Sequence, residues 1–245
     1  MGAAFLWGAV GGSSLVLGGV VAVRVTLTRR ALGLIMAFGA GVLISAVAYE
    51  LVHEAAVTSA GDGGVALGLL AGSVVFFGAD VLIDRVFGKG EAEGSNGGAR
   101  ATQAGRALVL GIILDGIPES LVLGLTVLEA GTVSAAFLVA VFLSNLPESI
   151  AATTALSRAG RNPTRIVRFW VLLALGFGLT ALAGYAVLDS ASPRTLAFVL
   201  AFAGGAVLTM LANSMMPEAL HYGGKLAGLL TTLGFALAFA ISSLQ

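Results

Sequence analysis

Asp115 and Glu119, and then Asn145 and Glu148, are polar side chains set inside two long apolar runs, on near-copies of one segment: DGIPES at 115–120 and SNLPES at 144–149. Both copies read Pro-Glu-Ser, with their glutamates 29 positions apart. An ionised carboxylate at the centre of a bilayer helix costs about 2.5 to 3.5 kcal/mol even on the lenient insertion scale, so a membrane chain that carries several has a use for them. On a helix Asp115 and Glu119 stand at i and i+4 and project from one face, about 6 Å apart along the axis. Asn145 and Glu148, at i and i+3, do likewise. Pro118 and Pro147 lack an N–H, which leaves the carbonyls of Leu114 and Leu143 without their usual helical partners. Carboxylate, amide and freed carbonyl oxygens together are the donor set of a hard cation, and freed backbone is tolerated at membrane depth where it lines a cavity. The constellation predicts a cation site between two helices, with Asp115, Glu119, Asn145 and Glu148 as its ligands.

The elements that must position these residues are membrane helices. The 245 residues are 58% apolar and 11% charged, with a mean hydropathy of +1.00, the composition of a polytopic membrane protein. Apolar runs of about twenty residues predict an all-α chain of eight spans, near 3–23, 32–53, 65–86, 107–128, 133–157, 166–188, 195–216 and 223–243. They form one transmembrane domain over 1–245. The first run lacks a basic leader, and its positive charges follow it, so it is read as retained. The connection at 88–105, rich in glycine and small polar residues, is expected to be a flexible cytoplasmic loop. Zero cysteines excludes disulfides and thiolate metal ligands. A net charge of zero argues against a nucleic-acid partner and leaves the lipid bilayer as the expected surroundings.

Lysines and arginines sort to one side of this arrangement. Alternate loops hold Arg24, Arg29 and Arg30, then Arg85, Lys89, Arg100 and Arg106, then Arg158, Arg161, Arg165 and Arg168, then Lys225, whereas the opposite side holds only Arg194. Basic loops stay cytoplasmic, so both termini are expected on the non-cytoplasmic side of a cell membrane.

A second similarity flanks the central pair. FGAGVLISAVAYELVHEA at 38–55 and FAGGAVLTMLANSMMPEA at 202–219 align without gaps, in the second and seventh spans. Spans an odd number apart cross in opposite directions, as the fourth and fifth also do, so an inverted repeat arranged 3+2+3 is expected. Such repeats place a substrate site near the midplane on interrupted helices, where the Pro-Glu-Ser segments fall. The second span then runs outward, putting Glu50, His53 and Glu54 at its external end as candidate inlet ligands. The seventh runs inward, with Glu218 and His221 as candidate outlet ligands. Asp80 and Asp84, another i,i+4 acidic pair, read as a local salt bridge with Arg85.

At these residues the chain resembles the ZIP family of divalent-metal transporters (Zrt- and Irt-like proteins). The likeness spans nearly the whole chain: eight helices, both termini outside, a long cytoplasmic loop after the third helix, and paired motifs of the form His-Asn-x-Pro-Glu-Gly. The first motif here runs Asp115, Gly116, Ile117, Pro118, Glu119, Ser120; the second runs Ser144, Asn145, Leu146, Pro147, Glu148, Ser149. Proline and glutamate match in both. The segments His53, Glu54, Ala55 and Pro217, Glu218, Ala219 are similar to the family's Pro-Glu-Ala ending. Asp115 stands for the family's histidine, Gly116 for its asparagine, Ser144 for the second motif's first polar ligand, and Phe177 falls where the sixth helix often supplies a carboxylate.

The resulting expectation is a secondary transporter rather than an enzyme. It would carry a divalent metal cation, zinc first and other first-row metals next, toward the cytoplasm, with no cofactor beyond the transported ion. The resemblance implies a rocking or elevator-like movement of the site-bearing helices, within a homodimer. Oxygen ligands in place of imidazole weaken the preference for zinc. Metal ligands must shed protons to bind, so affinity is expected to fall with pH. Two other readings compete. One is a ZIP-like membrane protein with altered or lost metal specificity, motivated by Gly116, Ser144 and Phe177. The other is an intramembrane enzyme that uses paired carboxylates as acid and base, or Asp80 and Asp84 with a metal on a lipid phosphate. Against the enzyme stand the missing cysteine nucleophile and the missing Gly-x-Ser-x-Gly elbow.

Overall fold

The computed structural model describes residues 1–25, 27–59, 63–83, 85–86 and 97–243, with the backbone alone at 97–108 and 129–130. Among the described residues the chain is helical, without strands, and forms eight long rods. They are α1 (Gly2–Arg24), α2 (Arg29–Thr58), α3 (Gly64–Ile83), α4 (Gly97–Ala130), α5 (Ala135–Arg158), α6 (Pro163–Leu188), α7 (Pro193–Gly223) and α8 (Leu226–Ser242). Seven of these are long and apolar enough to cross a membrane, α4 through its Val109–Leu128 portion, whereas α8 is a shorter apolar helix of 17 residues.

Local chemistry sets the ends. Thr28, Ser134, Asn162 and Ser192 each accept a hydrogen bond from a first-turn N–H of α2, α5, α6 and α7, which satisfies a donor that the helix itself leaves orphaned. Pro163 and Pro193 follow two of these caps, where the missing N–H costs nothing. Gly160 and Gly224, with φ of 76° and 62°, make the turns out of α5 and α7, a region L side chains rarely enter. Helix α4 begins at Gly97, not near 107. The second half of the expected 88–105 loop is therefore helical, because its alanines, arginines and glutamine are helix formers. Residues 88–96 lie outside the described residues.

Glycines set how closely the rods approach. In the α2–α8 crossing, a Cβ at Gly41 would overlap the Thr231 carbonyl and one at Gly234 the Phe38 carbonyl. In the α3–α7 crossing, Gly205 lies in the same way on Leu69 and Gly72 on Phe202. Helices α1 and α6 cross at Gly8 and Gly12, against Ala181 and Ala174. Small residues are the general means of close helix approach where no hydrophobic effect acts between helices. Both α2 and α7 pass through a π-helical segment, Val47–His53 and Leu211–Met215. In the ungapped alignment Val47 pairs with Leu211, so the two irregular segments start at the same place.

Candidate cation site

The proline-bearing helices α4 and α5 lie side by side at the centre, flanked by α1, α2, α6 and α7. Pro118 and Pro147 sit inside continuous helices rather than ending them. Between the helices opens a cavity of about 210 Å³ with four carboxylates in its wall: Asp115 from α4, Glu148 from α5, Asp80 from α3 and Glu218 from α7. Met36, Ser214 and Met215 complete its polar and sulfur-bearing lining. Every lining residue lies in the half of its helix that runs toward the basic loops, with α4 taken over its Val109–Leu128 portion. The opposite halves of the same helices are filled by buried Val47, Leu51, Leu125, Phe137 and Leu200. The cavity is therefore one-sided, and it belongs to the basic end of the molecule.

The four expected ligands are not one set. Asp115 is 8% exposed and Glu148 half-buried, and both line the cavity without a hydrogen bond to any described residue. Glu119 is 1% exposed and stands behind them. Its Oε2 accepts from Asn145 Nδ2 at 3.2 Å, and its Oε1 lies 3.3 Å from Ser144 Oγ, whose one proton it shares with the Val141 carbonyl at 3.0 Å. The first motif's glutamate is thus held by the second motif's two leading residues. The amide nitrogen of Asn145 is spent on Glu119, and a cation would meet its Oδ1, the only atom of the amide that can coordinate one. Charge interactions nevertheless link the group, Asp115 with Glu148, Glu119 and Asp80, and Glu148 with Glu218.

The freed carbonyl of Leu143 faces a neighbouring helix. It abuts α2 at Gly39, where a Cβ would come within 3.1 Å. Gly116 and Phe177 meet in one contact, because the Phe177 ring occupies the space that a side chain at Gly116 would need. Phe177 is 2% exposed. No carboxylate from α6 could stand there without removing that ring.

Among the outer candidates, Glu218 lines the central cavity itself, whereas His221 is exposed with its ring against Tyr222. Glu50 accepts a hydrogen bond from Ser242 Oγ at 2.6 Å, while His53 and Glu54 are exposed. Among the described residues no three His, Asp or Glu side chains converge as a ready-made metal cage, so Glu50, His53 and Glu54 do not form the cluster their spacing predicted. The π-helical winding of Val47–His53 changes the angle between neighbours at i+3 and i+4, which an α-helical count misses. Asp84 lies outside the described residues. Asp80 accepts from Asn213 Nδ2 at 3.4 Å and faces the cavity, so it is a wall residue that sequence reasoning had assigned to a local ion pair. The signal that could have found Asn213 and Ser214 is their place, one turn before Glu218, in the repeated segment.

The chain matches no protein-family model and no curated protein.

Proposed function

We propose that the chain is a ZIP-like secondary transporter that carries a divalent metal cation across a membrane, toward the side of its basic loops. The observation that carries this reading is the pair Asp115 and Glu148: two carboxylates beside motif prolines, facing one cavity with no hydrogen-bond donor among the described residues. Buried charges that are purely structural find partners, as Glu119 does. A divalent ion is the partner that two such carboxylates fit, with Glu218 farther along the wall as an oxygen donor for its release. The ion is the cargo, zinc or another first-row metal, and Met36 and Met215 add soft atoms that suit that class better than magnesium.

The eight-span, inverted-repeat plan fits the same reading. It is supported by the matched π segments and by the two glycine crossings, which exchange under the alignment. In this plan α8 is the eighth span, about 26 Å long at the α-helical rise, both termini are outside a cell membrane, and the one-sided cavity is the inward-open state of an alternating-access cycle. A homodimer is the expected assembly. Purified protein in liposomes should accumulate radiolabelled zinc, with competition by other first-row metals giving the selectivity. Protein that takes up none of them, at verified insertion, contradicts the reading.

A further inference from the structure

Two side-chain hydrogen bonds join long helices far apart in sequence: Ser242 Oγ to Glu50 Oε1 at 2.6 Å and Asn213 Nδ2 to Asp80 Oδ2 at 3.4 Å. They occupy corresponding places. The glycine crossings pair Gly72 with Gly234, since these lie on Phe202 and Phe38, which the alignment equates. They pair Leu69 with Thr231 in the same way, through Gly205 and Gly41. Asp80 and Ser242 each follow their glycine by eight residues, and so are counterparts. Glu50 lies on the π segment of α2 and Asn213 on that of α7, one position apart in the alignment. The residue types have been exchanged between the sides, carboxylate on the long helix in one pair and on its partner in the other.

We propose that the two bonds are matched clasps and that Glu50, Ser242, Asp80 and Asn213 are positioning residues for transport. Each clasp holds the π segment of a long helix to the partner it crosses at glycine. A π segment is a strained, rarely sustained winding that depends on its surroundings, so a tie at that point decides where the residues just after it stand. The Asp80–Asn213 clasp sets Ser214, Met215 and Glu218 in the cavity wall. The Glu50–Ser242 clasp, beside the Tyr49 ring on Phe239 at 5.0 Å, holds the end away from the cavity shut. The two differ as their ends differ: the short charge-assisted bond is partly buried at the filled end, and the long one is exposed at the open end. Glu50 therefore acts through α8 as a latch and not as an inlet ligand.

The inference rests on the transport reading, and its test separates the two. In the protein reconstituted in liposomes, Asn213→Ala should raise the KM for zinc uptake at least about fivefold, the scale of one ordinary net hydrogen bond. The exchange Asp80→Asn with Asn213→Asp restores a donor facing an acceptor, and should bring KM back to within about twofold of the unmodified chain. If Asp80 served as a direct ligand, the exchange would stay as impaired as Asp80→Asn alone, and the clasp would be overturned. The other clasp is read without metal. A cysteine placed at buried Ala140 should react with an impermeant maleimide about fivefold faster in Ser242→Ala or Glu50→Gln, and at the original rate in Ser242→Thr, which keeps the hydroxyl. Equal rates in all variants overturn the proposal. Absence of uptake by the unmodified chain would count against the transport reading alone, since the labelling arm still decides the latch.

Discussion

Glu119 and Glu148 carry the same motif and do different work. Asn145 and Ser144 hold the first with hydrogen bonds, whereas the second faces an open cavity. Asp115→Asn and Glu148→Gln are accordingly expected to lower zinc uptake by about tenfold or more each, a loss of at least one good ligand interaction, at unchanged expression. Asp115→His should shift competition toward zinc over manganese, because imidazole suits zinc better than an isolated carboxylate does. An unchanged competition profile would mean that Asp115 never touches the ion. The Gly116–Phe177 contact makes a separate prediction. Gly116→Ala should destabilise by about 1–3 kcal/mol through overpacking, and Phe177→Leu in the same chain should recover part of that, seen by thermal unfolding in detergent. The motif residues were legible from type and spacing alone. Their division into ligand and second layer was not, since Ser144 lies on a different helix from Glu119 and only packing brings the two within 3.3 Å.

At the scale of the helix, the apolar runs located every rod, although α2 and α7 run on past their expected ends to Thr58 and Gly223 and α4 starts ten residues early, and capping side chains account for the starts of α2, α5, α6 and α7. Misplacement of the α4 start has a plain cause: glycine and polar residues before 97 obscured a helix-forming stretch after it. The π segments had no local signature, because an i→i+5 winding is chosen by what packs around it. The repeat alignment nevertheless marks where they start, at Val47 and Leu211. The glycine crossings are testable against glycines that face nothing. Gly72→Val and Gly234→Val should each lower the unfolding temperature, since a side chain there meets the carbonyl of a neighbouring helix, whereas Gly78→Val meets no atom within 4 Å and should leave it nearly unchanged. Equal effects at Gly72 and Gly78 would contradict the crossings as described.

For the molecule as a whole, charge asymmetry and the one-sided cavity make a joint claim. The basic end is the open end, and the proposed topology, through the bias of basic loops toward the inner side, puts it in the cytoplasm. Single cysteines at Ser190 and Arg161, both exposed in turns at opposite ends, should therefore be labelled from outside intact cells only at Ser190→Cys. Labelling at Arg161→Cys alone would reverse the orientation. The most direct measurement of the central claim is zinc uptake into liposomes by the unmodified chain and by the Asp115→Asn, Glu148→Gln double variant, at equal insertion. The account predicts saturable accumulation by the first and background uptake by the second. Uptake by the double variant equal to that of the unmodified chain would show that the ion does not pass between these two carboxylates.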